Sequence, residues 1–301
     1  MTPKPSNPGP PSIAPTHRLL PVLAAIAAAA AFVSMDATIK TLAPKFAALQ
    51  LTTLRFLAGA VFAWALWLWF RSPMPKGRQW GSHALRSGLL LGCLLSYFHA
   101  LTLLPLAQAV AMSYLAPICV AVLAIVWLKE RPSRWLWAAL LLGLAGVSVS
   151  MAPALWAAAN HSGNPRQLEG LLCAGLSAIA FAGVIVLARQ QARHDALWTI
   201  LVVQNTLPLL LLAIPASLVW EPVAATDLPA VMLTGLFATV GLLSLTWAFT
   251  HLEASRVAPL EYTSFVWAAL LGYALFGEVP SVTTWLSAAL IVGGCLLLLR
   301  R

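Results

Sequence analysis

Ten apolar runs, each near the length that carries a helix across a bilayer, leave this chain little choice of fold. About 20 apolar residues span the hydrocarbon core as a helix. In lipid the backbone must satisfy its own hydrogen bonds, which a helix does within one segment. Turn and charge clusters place the runs at 20–40, 50–70, 84–103, 107–127, 134–151, 169–188, 196–219, 228–250, 257–276 and 282–299. Hydrophobic residues make up 60% of the chain and charged residues 9%, where a soluble domain carries roughly a quarter. The chain therefore reads as an all-α integral membrane protein whose surroundings are the lipid bilayer. A net charge of +9 would suggest nucleic acid for a soluble chain, but these cations fall between apolar runs, and no nucleic-acid partner is expected.

The chain also repeats itself. Ala100, Thr102, Leu104, Tyr114, Ala121, Leu123, Glu130, Pro132 and Ser133 are answered by Ala248, Thr250, Leu252, Tyr262, Ala269, Leu271, Glu278, Pro280 and Ser281. Every pair is separated by 148 residues (248 − 100 = 148), as in a duplication of half the chain. Residues 1–18 form a Pro-rich tail that cannot bury apolar surface and is expected to be disordered. The first copy then covers 19–151, a connection rich in Pro, Asn and Gly covers 152–168, and the second copy covers 169–301. The first apolar run has the basic flank of a signal peptide, yet it is long and lacks a cleavage site, so it reads as the first membrane helix.

Lysine and arginine favour cytoplasmic loops. With the N-terminus inside, the cytoplasmic side collects Lys4, Arg18, Arg71, Lys76, Arg78, Arg86, Lys129, Arg131, Arg134, Arg189, Arg193, Arg256, Arg300 and Arg301, against Lys40, Lys45 and Arg166 outside. Both termini are thus expected in the cytoplasm, with the 152–168 connection external. Five spans per copy is an odd number, so the two copies lie inverted: ten transmembrane helices as two inverted five-helix repeats. Secondary transporters often have this architecture, with the substrate site near the midplane between the repeats.

The Arg55-Phe56 step in helix two, the Leu128-Lys129-Glu130 ending of helix four with Pro132, and the runs Pro259–Thr263 and Gly277–Pro280 resemble the drug/metabolite transporter superfamily, in particular its EamA-type members. The resemblance covers nearly everything after the tail. It implies a multi-pass inner-membrane transporter of small polar organic molecules, such as an exporter of amino acids or related metabolites. Uptake of a vitamin or nucleoside-like metabolite is the alternative within transport.

Ionisable side chains in the hydrocarbon region are costly and mark function. Asp36, Arg55, His99 and Glu261 are the clearest, with Lys40 at the outer rim of helix one. Asp36 and Arg55 lie about five residues below the outer boundary, a matching depth of roughly 7 Å, so an ion pair between them is expected. Lys40, one turn above Asp36, is a competing partner. His99 and its repeat mate Trp247 read either as substrate contacts near the midplane or as satisfied core residues. Tyr97 shares a helix with His99 on another face, so only one of the two is expected to face a cavity. The repeat mates Tyr114 and Tyr262 read as gates or as interfacial anchors. Glu261 is a candidate proton carrier, or else a solvated carboxylate paired with Arg256. Glu130 and Glu278 suggest a shared structural role at a helix end, and Gly143, Gly146, Gly293 and Gly294 suggest close helix contact.

Cys93, Cys119, Cys173 and Cys295 fall inside apolar runs without ligand spacing, so no metal and no cofactor are expected. The chain contains no nucleotide-binding loop, zinc-protease motif or nucleophile elbow. Transport would then be driven by a gradient of substrate or of a coupling ion such as the proton. A lipid-modifying enzyme using His99 and Glu261 as acid and base is the reading from another class, and it requires both at one interface.

Overall fold

The computed structural model describes residues 16–75, 77, 79–128, 134–159, 165–191, 195–251, 260 and 263–298. Among these residues every regular element is an α-helix. In chain order they are α1 (Thr16–Leu42), α2 (Ala48–Phe70), α3 (Gln79–Leu103), α4 (Leu106–Ser113), α5 (Leu115–Leu128) and α6 (Arg134–Ala159). Then follow α7 (Pro165–Gln191), α8 (Leu197–Ser217), α9 (Leu228–His251), α10 (Thr263–Phe276) and α11 (Val282–Leu298). Among the described residues six helices, α1, α2, α3, α7, α8 and α9, are long and apolar enough to cross a membrane. Leu106–Val120, α10 and the Val282–Gly294 part of α11 are shorter apolar stretches.

Three expectations change. The run 107–127 is two helices rather than one, broken at Tyr114, whose N–H turns back to the Ala111 carbonyl at 3.3 Å. Pro117 is the cause in the sequence, because it has no N–H to return to the Ser113 carbonyl. The fifth run continues past 151 to Ala159 with Pro153 inside it, and α7 opens on Pro165, a residue suited to a first helical position. Helix thus enters both ends of the 152–168 connection. Thr16–Arg18, assigned to the tail, begin α1, and the rest of that tail lies outside the described residues.

Lipid tails are as apolar as leucine, so helices in a membrane associate through close packing and interhelical hydrogen bonds. Here α3 lies along α7, α1 along α9 and α6 along α11, while α2 packs against both α8 and α9. Every one of these contacts joins the first half of the chain to the second. The α2–α9 crossing is backbone to backbone: a Cβ on Gly235 would come within 2.5 Å of the Ala58 carbonyl carbon and the Gly59 nitrogen. Gly146 likewise lets α6 meet Ile291 of α11, and Gly143 meets Ile118, whereas among the described residues nothing lies within 4 Å of a Cβ on Gly293. Phe98, Leu101, Leu106, Leu171 and Ile291 form the core between the halves.

The polarity is inside out. Trp69 is 82% exposed and Leu141 68%, whereas Gln50 and Thr52 are fully buried. An apolar exterior over a core that holds polar side chains suits a lipid solvent.

Candidate functional site

The polar side chains at the centre of the bundle come from helices of both halves. Asp36 of α1 and Arg55 of α2 are buried, 7% and 8% exposed. They lie within electrostatic reach of one another, yet the expected direct ion pair is not made. Each is held by a neutral partner on another helix. Tyr97 of α3 donates its hydroxyl to Asp36 Oδ2 at 3.1 Å, and Arg55 Nη1 donates to Asn205 Oδ1 of α8 at 3.3 Å. The Arg55 guanidinium also lies over the Phe56 ring, 4.5 Å from its centroid. The other carboxylate oxygen, Asp36 Oδ1, and Arg55 Nε have no hydrogen-bond partner among the described residues.

Asn205 can reach this position because residue 59 is glycine. A Cβ there would lie 2.3 Å from Asn205 Oδ1. The amide then turns its Nδ2 onto the Leu201 carbonyl at 2.8 Å, which fixes its orientation. Nearby, Tyr114 at the α4–α5 break shares a 2.6 Å hydrogen bond with Ser264 of α10, and Cys93 meets Ser177 at 3.3 Å. The centre is therefore a set of polar contacts running from α1 and α2 to α3, α8 and the α4–α5 joint.

Lys40 does not compete for Asp36. Its Nζ bonds Glu278 Oε1 and the Leu104 carbonyl, both at 2.6 Å. Glu278 Oε2 accepts the Leu106 N–H at 2.8 Å, capping α4, and the Glu278 N–H returns to Gly272. Gly277, at φ +66°, makes the turn that aims this carboxylate inward. Glu278 is thus a fastener between the ends of α1, α3, α4 and α10. The same end carries the Lys45–Asp227 ion pair at 2.6 Å and the Gln50 side chain bonded to the backbone of Glu221.

At the opposite end a second set of ties joins α3 to α7 and α8. Arg86 bonds Gln191 and Gln204, both at 2.8 Å, and His83 meets Asp195 at 3.1 Å. Arg86, near the start of the run 84–103 and credited to the cytoplasmic side, is buried in α3, which begins at Gln79. Thr199 adds a bond to the Pro73 carbonyl, and Phe70 stacks on Trp198 at 4.1 Å.

His99 and Trp247 do not face one another near the midplane. His99 lies four residues before the end of α3, partly exposed, with Nε2 2.7 Å from the more exposed Glu169. Trp247, 42% exposed, lies four residues before the end of α9. Helix α9 starts at the Lys45–Asp227 end, where α3 finishes, so the two residues lie toward opposite ends. Tyr97 points inward and His99 outward, as their different faces imply. Glu261 and Tyr262, like Glu130, lie outside the described residues.

Asn205, His83, Gln191, Gln204 and Glu169 were not singled out from the sequence. Their signal is faint: isolated amides and a histidine in apolar or flanking segments acquire meaning only through the helix opposite. An open cleft of about 240 Å³ also lies beside Glu278, between Gln108, Gln167, Gly272, Ser281 and Thr284.

The sequence profile of the EamA-like transporter family matches residues 19–152 and again 168–300. The pseudopaline exporter CntI of Pseudomonas aeruginosa is 26% identical over 93% of this chain and 95% of its own length. The S-adenosylmethionine uptake transporter of Rickettsia felis is 24% identical over 72% of this chain and 71% of its own. A solved crystal structure shares the fold, with a TM-score of 0.60 and 22% identity, over 95% of this chain and 97% of the other.

Proposed function

The chain belongs to the EamA-like transporter family, a family of membrane transporters rather than enzymes, and from that premise we propose that it is a secondary carrier exporting amino acids or related small polar metabolites. Its ten spans form two inverted five-helix repeats in the inner membrane with both termini in the cytoplasm, and transport proceeds by alternating access. The observation that carries this reading is the buried charge of Asp36 and Arg55, held at the centre of an apolar bundle by residues of other helices. A scaffold without cargo has no use for such costly groups.

The packing supports the repeat. Exchanging each span for its counterpart five spans on turns the α3–α7 pair into α9–α1, and α2–α8 and α6–α11 into themselves, which are the principal pairs observed. The profile's two matches, one in each half, support it as well. The similarity to a named exporter over the whole chain favours outward transport. The similarity to a named uptake transporter keeps import of a nucleoside-like metabolite as the second reading.

The test is flux in proteoliposomes. The purified chain should move at least one radiolabelled amino acid, faster with an imposed pH gradient if the proton is the coupling ion. Flux of a nucleoside or vitamin with none of any amino acid would move the reading to the second class, and no flux of any solute would refute transport.

A further inference from the structure

We propose that Asp36 and Arg55 are the two halves of a zwitterion-binding site, Arg55 taking a carboxylate and Asp36 the ammonium group attached near it. The proposal rests on the transport reading and names what this site recognises. A structural ion pair would be closed, because a buried charge is stabilised best by its opposite in direct contact. Here the opposite charges are buried and within reach, but each is hydrogen-bonded to a neutral partner, Tyr97 or Asn205, and not to the other. Each charged group keeps an unused hydrogen-bonding atom, Oδ1 on the acid and Nε on the base. A free α-amino acid offers the complementary pair on neighbouring atoms.

The supports around Arg55 are built to keep this arrangement. Gly59 leaves the volume that Asn205 fills, Leu201 fixes the amide, and Phe56 lies against the guanidinium. Neither orphan atom reaches solvent in this arrangement, so a ligand enters only when the helices part, as alternating access requires. A planar guanidinium suits a carboxylate better than a point charge would.

The test uses the purified full-length chain, titrated with the proteinogenic L-α-amino acids. Each one that binds is compared with its methyl ester, which lacks the carboxylate charge, and with its N-acetyl derivative, which lacks the ammonium charge. The wild type should bind a free amino acid about tenfold more tightly, or better, than either derivative, the size of one lost charge-assisted hydrogen bond. Arg55→Gln should erase the discrimination against the methyl ester alone, and Asp36→Asn that against the N-acetyl derivative alone. Equal binding of all three forms by the wild type overturns the assignment and needs no variant, so a misfolded variant cannot shield it. Folded variants that keep both discriminations overturn it too. Binding of no amino acid, together with flux of another solute, sinks the zwitterion site and leaves the transporter standing.

Discussion

At the scale of single residues, the arrangement of Gly59, Asn205 and Arg55 makes the sharpest demands. An added methyl on Gly59 must displace the Asn205 amide, and Arg55 then loses its acceptor. Gly59→Ala should destabilise the protein by roughly 1–3 kcal/mol, the range for overpacking a close-packed interior. Asn205→Ala removes the obstacle, so the double variant should be more stable than the sum of the two singles, measured as non-additivity in thermal unfolding. Additive losses would mean that the two side chains do not share this space. Asp36→Asn should fold and abolish flux in proteoliposomes, since Tyr97 can still donate to the amide oxygen; wild-type flux would remove Asp36 from the mechanism. The sequence singled out Asp36 and Arg55, because a charge in an apolar run is visible in one dimension. It could not show Tyr97 and Asn205 as their partners, since those contacts span 61 and 150 residues.

At the scale of helices, the legible features were those written locally. The apolar runs forecast most of the helices, whereas the fourth run misled, because hydropathy does not register the hydrogen bond that Pro117 withholds. The ends of helices were less legible still, for a cap depends on what approaches it. Glu278 closes the start of α4 from 172 residues away while holding Lys40. Glu278→Gln keeps an acceptor for the Leu106 N–H but removes the charge opposite Lys40. It should lower stability by roughly 1–3 kcal/mol, the worth of a hydrogen bond to a charged group. Glu278→Ala should cost more, because the Leu106 N–H is then left unbonded as well. The two variants are compared by thermal unfolding in detergent, and equal melting temperatures would remove the cap from this account.

For the molecule as a whole, the orientation and the pairing of the halves remain the testable frame. Gly77, in the α2–α3 connection, and Thr226, just before α9, are both exposed and lie at opposite ends of the bundle. Introduced cysteines should be labelled by an impermeant reagent only from the cytoplasm at position 77 and only from outside at position 226. Labelling of position 77 on intact cells would invert every depth assigned here. The 148-residue step in the sequence points to two halves but not to how they interleave: α1 finds its main neighbour in α9, and α2 in α8 and α9. That packing sets a schedule for synthesis. When α2 leaves the ribosome, Asn205 and Gly235 do not yet exist, and Arg55 must wait in the membrane for a partner made 150 residues later. The newborn first half therefore carries its buried arginine without its acceptor, and its survival depends on how quickly the second half follows.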